Sequence, residues 1–85
     1  MTVSDSDMTA LVKRLLGERG MSDRELGRKT GLSSSMVTQR MKGRVRWSFD
    51  DLFTVADALG LSPAHIVTEL EQIAAERLKT AQESE

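Results

Sequence analysis

The chain has 85 residues, enough for one small domain with a single modest core. It holds no cysteine and one histidine, His65, so a disulfide framework and a thiolate metal site are excluded, and no cofactor or metal is expected. Lys and Arg number 12 against 13 Asp and Glu, a net charge of −1 that by itself argues against a polyanionic partner, and no stretch nears the roughly 20 apolar residues of a membrane span.

Residues 1 to 7 are short, polar and acidic; they read as a flexible N-terminal tail, not as a signal peptide, and the protein is expected in the cytoplasm. Met8, Leu11, Val12, Leu15 and Leu16 recur at helical spacing and predict a first helix ending near Gly20. Ser22 followed three residues later by Glu25 is a capping-box pattern, flanked by Met21 and Leu26 as a hydrophobic staple. A second helix is therefore expected from about Asp23 to Thr30, stopped by Gly31, which takes a left-handed cap at little steric cost. Ser33 is placed as the N-cap of a third helix over 34–42, closed by Gly43. The run RVRW, 44–47, is a basic connector.

Ser48 begins a fourth helix, with Asp51 at the capping-box position and Trp47 set to staple onto Leu52. Phe49, Leu52, Phe53, Val55, Ala56 and Leu59 supply its apolar content, and Gly60 ends it. Ser62 and Pro63 open a fifth helix as N-cap and first helical residue. Beyond them Ile66, Val67, Leu70, Ile73, Ala74, Leu78 and Ala81 continue at helical spacing almost to the end, with the first two turns expected to close the core through Ile66, Val67 and Leu70. No run alternates with period two. The fold class is all-α, with five helices.

The second and third helices are separated by so short a turn that they must cross steeply, which makes 21–43 a helix-turn-helix unit. On Gly27, Gly31, Val37 and Gly43, and on the downstream WSFDDLFTVADALGLSPAHIV, residues 8–70 resemble the Cro and lambda-repressor type, or Xre-like, family of DNA-binding domains. The resemblance implies a five-helix lambda-repressor-like fold whose third helix reads the major groove of double-stranded DNA. Gly27 then has a physical reason, a close crossing of the two helices. Two residues depart from the family pattern. Asp23 stands where a phosphate-contacting Gln is frequent and fits the helix dipole better than a DNA contact. Arg40 stands where an apolar residue is common, and three targets for its guanidinium stay open: a phosphate, Asp50 and Asp51.

The net charge conceals a separation along the sequence. Residues 13–46 carry ten Lys/Arg against Glu18, Asp23 and Glu25, a local +7, whereas 47–85 carry −6. Because attraction decays over roughly 8 Å at physiological salt, the basic segment attracts phosphates despite the acidic remainder. With Met36, Val37 and Met41 turned inward, the outward positions of the third helix are Ser34, Ser35, Thr38, Gln39 and Lys42. Ser34, Ser35, Thr38 and Gln39 are the candidate base readers. Gln39 leads, since its amide pairs in bidentate fashion with adenine N6 and N7. Arg24, Arg28, Lys29, Arg40, Lys42, Arg44 and Arg46 are the candidate phosphate contacts. Trp47 reads as core and His65 as a surface or helix-start residue. No nucleophile with a base and no paired carboxylates stand out, so no catalytic residues are assigned and an enzyme is not expected.

Residues 71–85 form a C-terminal helix extension. Its stripe of Ile73, Ala74, Leu78 and Ala81 is a candidate homodimer surface that would set two recognition helices about 34 Å apart; a monomer with a frayed tail is the alternative. No small-molecule effector is expected, the chain having no room for a sensor domain. Three functional readings stay open: a small phage- or prophage-type Cro-like repressor acting in a bacterial cell or phage-infected host, an antitoxin binding a toxin through the last helix, and a protein-interaction adaptor that no longer binds DNA.

Overall fold

Helix α1, Asp5–Arg19, begins where a reciprocal cap forms. The Ser4 hydroxyl accepts the Asp7 N–H at 3.2 Å and the Asp7 carboxylate accepts the Ser4 N–H at 2.9 Å. The computed structural model describes residues 3–83, and over that span the remaining helices are α2, Asp23–Thr30, α3, Ser34–Met41, α4, Phe49–Ala58, and α5, Pro63–Glu83. No strand occurs among the described residues. The caps follow the sequence: Ser22, Ser33, Ser48 and Ser62 each accept a backbone N–H three residues on, from Glu25, Met36, Asp51 and His65. Ser48 and Asp51 close a full capping box. At α2 the return bond differs, because the Glu25 carboxylate meets the Ser22 hydroxyl at 3.4 Å in place of its N–H.

The helices pack as α1 on α5 and α3, α2 on α3 and α4, and α4 on α5. Their shared core contains Leu11, Leu15, Leu26, Val37, Leu52, Val55, Ile66 and Leu70, each at most 2% exposed. Full burial of a side chain of this size contributes about 1.5–3 kcal/mol against leaving it in water, which is how a chain without cysteine holds together. Trp47 joins this core as expected, and Met21 packs against it from the α1–α2 turn.

Three expectations are corrected here. Residues 3–7 are not a free tail; residues 1 and 2, the rest of that expected tail, lie outside the described residues. Asp7 is 2% exposed and is gripped by Arg77, whose Nε donates to Oδ1 at 2.9 Å and whose Nη2 donates to Oδ2 at 3.0 Å. This pair ties the far part of α5 to the first turn of α1. Secondly, Ile73 and Ala74 do not belong to an uncovered stripe: Ala74 is fully buried and Ile73 packs on the core, so only Leu78 and Ala81 of that candidate dimer surface stay exposed. The end of the expected C-terminal extension, residues 84 and 85, lies outside the described residues. Thirdly, Val67 does not close the core. It is exposed at the rim of a cleft of about 340 Å³ that it lines with Val3, Phe49, Leu70 and Glu71.

Candidate nucleic-acid interface

Helices α2 and α3 meet at Gly27. A Cβ built there would lie 2.9 Å from the Leu32 carbonyl oxygen, 3.0 Å from the Ser34 nitrogen and 3.1 Å from the Ser33 carbonyl carbon. The turn between the helices therefore rests directly on the α2 backbone. Gly31, at φ 81°, supplies the left-handed residue that sends the chain back across it. Thr30 braces the same turn, donating to the Leu26 carbonyl at 2.8 Å and accepting the Leu32 N–H at 3.2 Å. Val37, fully buried, fixes the rotation of α3 about its axis.

That rotation decides what α3 presents. At 100° per residue, Ser35, Gln39 and Lys42 lie opposite Val37, with Ser34 and Thr38 on one flank. Ser34, Ser35 and Lys42 are exposed, whereas Thr38 and Gln39 are half-buried. The face is thus polar and short, of the size the major groove accepts. Met36 does not turn inward as the sequence suggested; it is 41% exposed on the other flank. Met41, half-buried against the core, does take an inward place.

Arg40 is removed from the phosphate candidates. Its Nε donates to Asp51 Oδ2 at 2.9 Å and its Nη1 donates to the Met36 carbonyl at 3.1 Å, leaving the side chain 13% exposed. Of the three targets left open by the sequence, the structure selects Asp51. The same Oδ2 accepts the Ser48 N–H at 3.0 Å, so one carboxylate caps α4 and holds α3. Burial pushes the Asp51 carboxyl up, but the Ser48 N–H and Arg40 outweigh it and the net shift is downward. Asp7 is also lowered, chiefly by its hydrogen bond from Arg77, against burial and with help from Ser4.

Both groups therefore bind fewer protons when folded than when unfolded. Their contribution to stability is complete above the ordinary carboxylate pKa of about 4 and is lost as pH falls through the lowered folded values. Urea midpoints are expected to be level down to about pH 5 and to drop steadily below it. Asp7→Asn should lower the plateau and reduce the acid dependence; an unchanged pH profile in that variant would overturn the assignment.

The other six phosphate candidates, Arg24, Arg28, Lys29, Lys42, Arg44 and Arg46, are exposed, and none has an ion-pair partner among the described residues. They lie on α2, at the end of α3 and on the connector that follows it. On α1 and α5, Arg14 and Arg77 face acids, Arg14 lying 3.4 Å from Glu69, which also sits 3.3 Å from His65 Nε2, whereas Lys13, Arg19 and Lys79 are exposed and form no ion pair among the described residues. Asp23 is the first residue of α2, where a negative charge complements the helix dipole.

The connector is fastened at both ends. The Arg44 N–H donates to the Gln39 carbonyl at 3.0 Å, and the Trp47 N–H donates to Asp5 Oδ1 at 2.7 Å. The indole Nε1 of Trp47 donates to Thr9 Oγ1 at 3.0 Å. Sequence reading missed Asp5 and Thr9 because it placed the first helix too late. The signal was present in Ser4 and Asp7, which have the same spacing and chemistry as Ser48 and Asp51.

No group of three or more His, Asp or Glu side chains is arranged to hold a metal ion among the described residues, and no helix is long and apolar enough to cross a membrane. A short polar helix docked across a second one, with exposed cations in the segments before and after it, has the arrangement of a helix-turn-helix unit. The family model of the Cro/C1-type helix-turn-helix DNA-binding domain matches residues 12–77, and the chain belongs to that family. No curated protein and no solved structure shows significant similarity to it.

Proposed function

We propose that this protein is a sequence-specific transcriptional regulator, a small Cro-like repressor of phage or prophage type that acts in the cytoplasm by occupying an operator. The observation that carries the reading is the pairing of a polar α3 face, Ser35, Gln39 and Lys42, with exposed cations on α2, at the end of α3 and on the connector, Arg24, Arg28, Lys29, Lys42, Arg44 and Arg46, that form no ion pair among the described residues. Ions held ready in this way supply affinity for any duplex, and the helix face supplies preference. Gln39 is the leading base reader, with Ser34, Ser35 and Thr38 beside it. An adaptor that had given up DNA has no use for six unpaired cations gathered within residues 24–46, which favours the repressor over that alternative.

Selection of bound duplexes from a random pool, with the mass of the complex measured, tests the proposal. A recovered consensus is expected, and a near-palindrome with two copies bound would mean that the protein acts as a pair. Gln39→Ala should cost about 1–3 kcal/mol on the selected site and relax preference at one base pair. Equal losses on selected and random DNA would remove Gln39 from the reading, and a pool that yields no consensus would remove sequence-specific regulation.

A further inference from the structure

We propose that Asp5 is a positioning residue for DNA binding: its carboxylate holds the Arg46–Trp47 peptide, and with it the connector that carries Arg44 and Arg46, in place beside the recognition helix. The inference rests on the DNA-binding reading above.

The connector has two attachments of different kinds. Its start belongs to α3, since the Arg44 and Val45 N–H groups both donate to the Gln39 carbonyl and Gly43 turns the chain at φ 75°. Its end belongs to α1, through Asp5 to the Trp47 N–H at 2.7 Å and Thr9 to the indole at 3.0 Å. Between these points Arg44, Val45 and Arg46 are exposed and no side chain of theirs forms an ion pair among the described residues. The backbone from which both side chains project is therefore set by hydrogen bonds at the two ends. The turn that carries Asp5 is itself held, by the Ser4–Asp7 cap and by the two bonds from Arg77 to Asp7.

Charge makes this arrangement informative. Asp5 lines the same surface hollow as Arg46 and Trp47, so its negative charge sits close to a cation meant for phosphate. By Coulomb's law alone its removal strengthens DNA binding. A carboxylate kept there acts through the hydrogen bond it accepts, a charge-assisted bond to a backbone N–H. The two roles predict opposite signs for the same substitution.

The test measures binding of the full chain to a mixed-sequence duplex as a function of NaCl, for wild type, Asp5→Ala and Asp5→Asn. Asparagine keeps a carbonyl acceptor for the Trp47 N–H and loses the charge. Asp5→Ala is expected to bind about 3- to 10-fold more weakly, with a salt slope shallower by up to about one unit as a phosphate contact is lost. Asp5→Asn is expected to bind as tightly as wild type or more tightly. Exchange of the Trp47 amide hydrogen, read in the absence of DNA, should quicken in Asp5→Ala and stay slow in Asp5→Asn; this readout remains valid if the alanine variant is less stable, provided a neighbouring α4 amide serves as reference. An alanine variant that binds as tightly as wild type or more tightly, beside a wild type that does bind, overturns the role of Asp5 alone. A wild type with no salt-dependent affinity for the duplex overturns the DNA-binding reading and this inference with it.

Discussion

Gly27→Ala is expected to destabilise the protein, and Gly17→Ala to stabilise it, although both exchange glycine for the best helix former. In the interior of a helix the exchange is worth about 1 kcal/mol in favour of alanine. At Gly17 nothing lies within 4 Å of the new Cβ, so the gain of about 0.5–1 kcal/mol should be realised. At Gly27 the new Cβ meets Leu32, Ser33 and Ser34 at 2.9–3.1 Å, all of it backbone that cannot rotate aside. Overpacking of this kind costs about 1–3 kcal/mol, and the displaced segment includes Ser33, whose cap is worth about 1 kcal/mol more. The net loss is about 1–3 kcal/mol once the propensity gain is subtracted, or a fall in Tm of roughly 5–15 °C for a domain of this size. Thermal and guanidinium unfolding of the two variants check it. A Gly27→Ala that unfolds at or above the wild-type midpoint would mean that the α2–α3 crossing does not limit stability. Because Leu32 to Ser34 set where α3 begins, the fraction of Gly27→Ala that still folds should also bind DNA with less sequence preference.

The contrast between the two glycines shows what was legible in the sequence. Local rules sufficed for the caps they were applied to: Ser22, Ser33, Ser48 and Ser62 accept as their spacing indicates, and Gly31 and Gly43 turn the chain where the helices stop, although the Glu25 return bond does not form and the Ser4–Asp7 cap, equally local, was passed over. They failed where the partner was remote. Asp7 and Arg77 are 70 residues apart, so an acidic segment that local composition assigns to a tail is locked into the domain by a residue of the last helix. Ala74 fails for a related reason, since periodicity gives the apolar face of α5 but not how far α1 runs alongside to cover it.

At the interface the same division holds. The polar face of α3 was readable from helical spacing once Val37 was fixed as the inward point. The fate of Arg40 was not, because its open targets were a phosphate and two adjacent residues of α4, and only the packing of α3 beside α4 brings Asp51 to 2.9 Å. Met36, expected to turn inward with Val37 and Met41, is exposed. At 100° per residue it falls well off that direction, and no neighbouring element reaches over to cover it.

Salt should change the affinity for DNA more than any single substitution. If all six unpaired cations neutralise a phosphate, log K against log salt has a slope of about −5 per bound chain, and raising salt from about 50 to 200 mM weakens binding roughly a thousandfold. Arg44→Gln and Arg46→Gln should each flatten the slope by about one unit and weaken selected and random duplexes alike. Gln39→Ala should leave the slope unchanged while lowering preference for the selected site. Arg40→Gln provides the sharpest contrast, because it removes a positive charge from the same helix. Its guanidinium is engaged by Asp51 and the Met36 carbonyl, so the slope should stay as in wild type while stability falls by about 1–3 kcal/mol with the loss of charge-assisted hydrogen bonds. Titrations at four or five salt concentrations, paired with denaturation of each variant, separate the two behaviours. An Arg40→Gln slope as shallow as that of Arg46→Gln would mean that Arg40 leaves Asp51 for a phosphate when DNA arrives, and Asp51 would then be the residue that DNA must outbid.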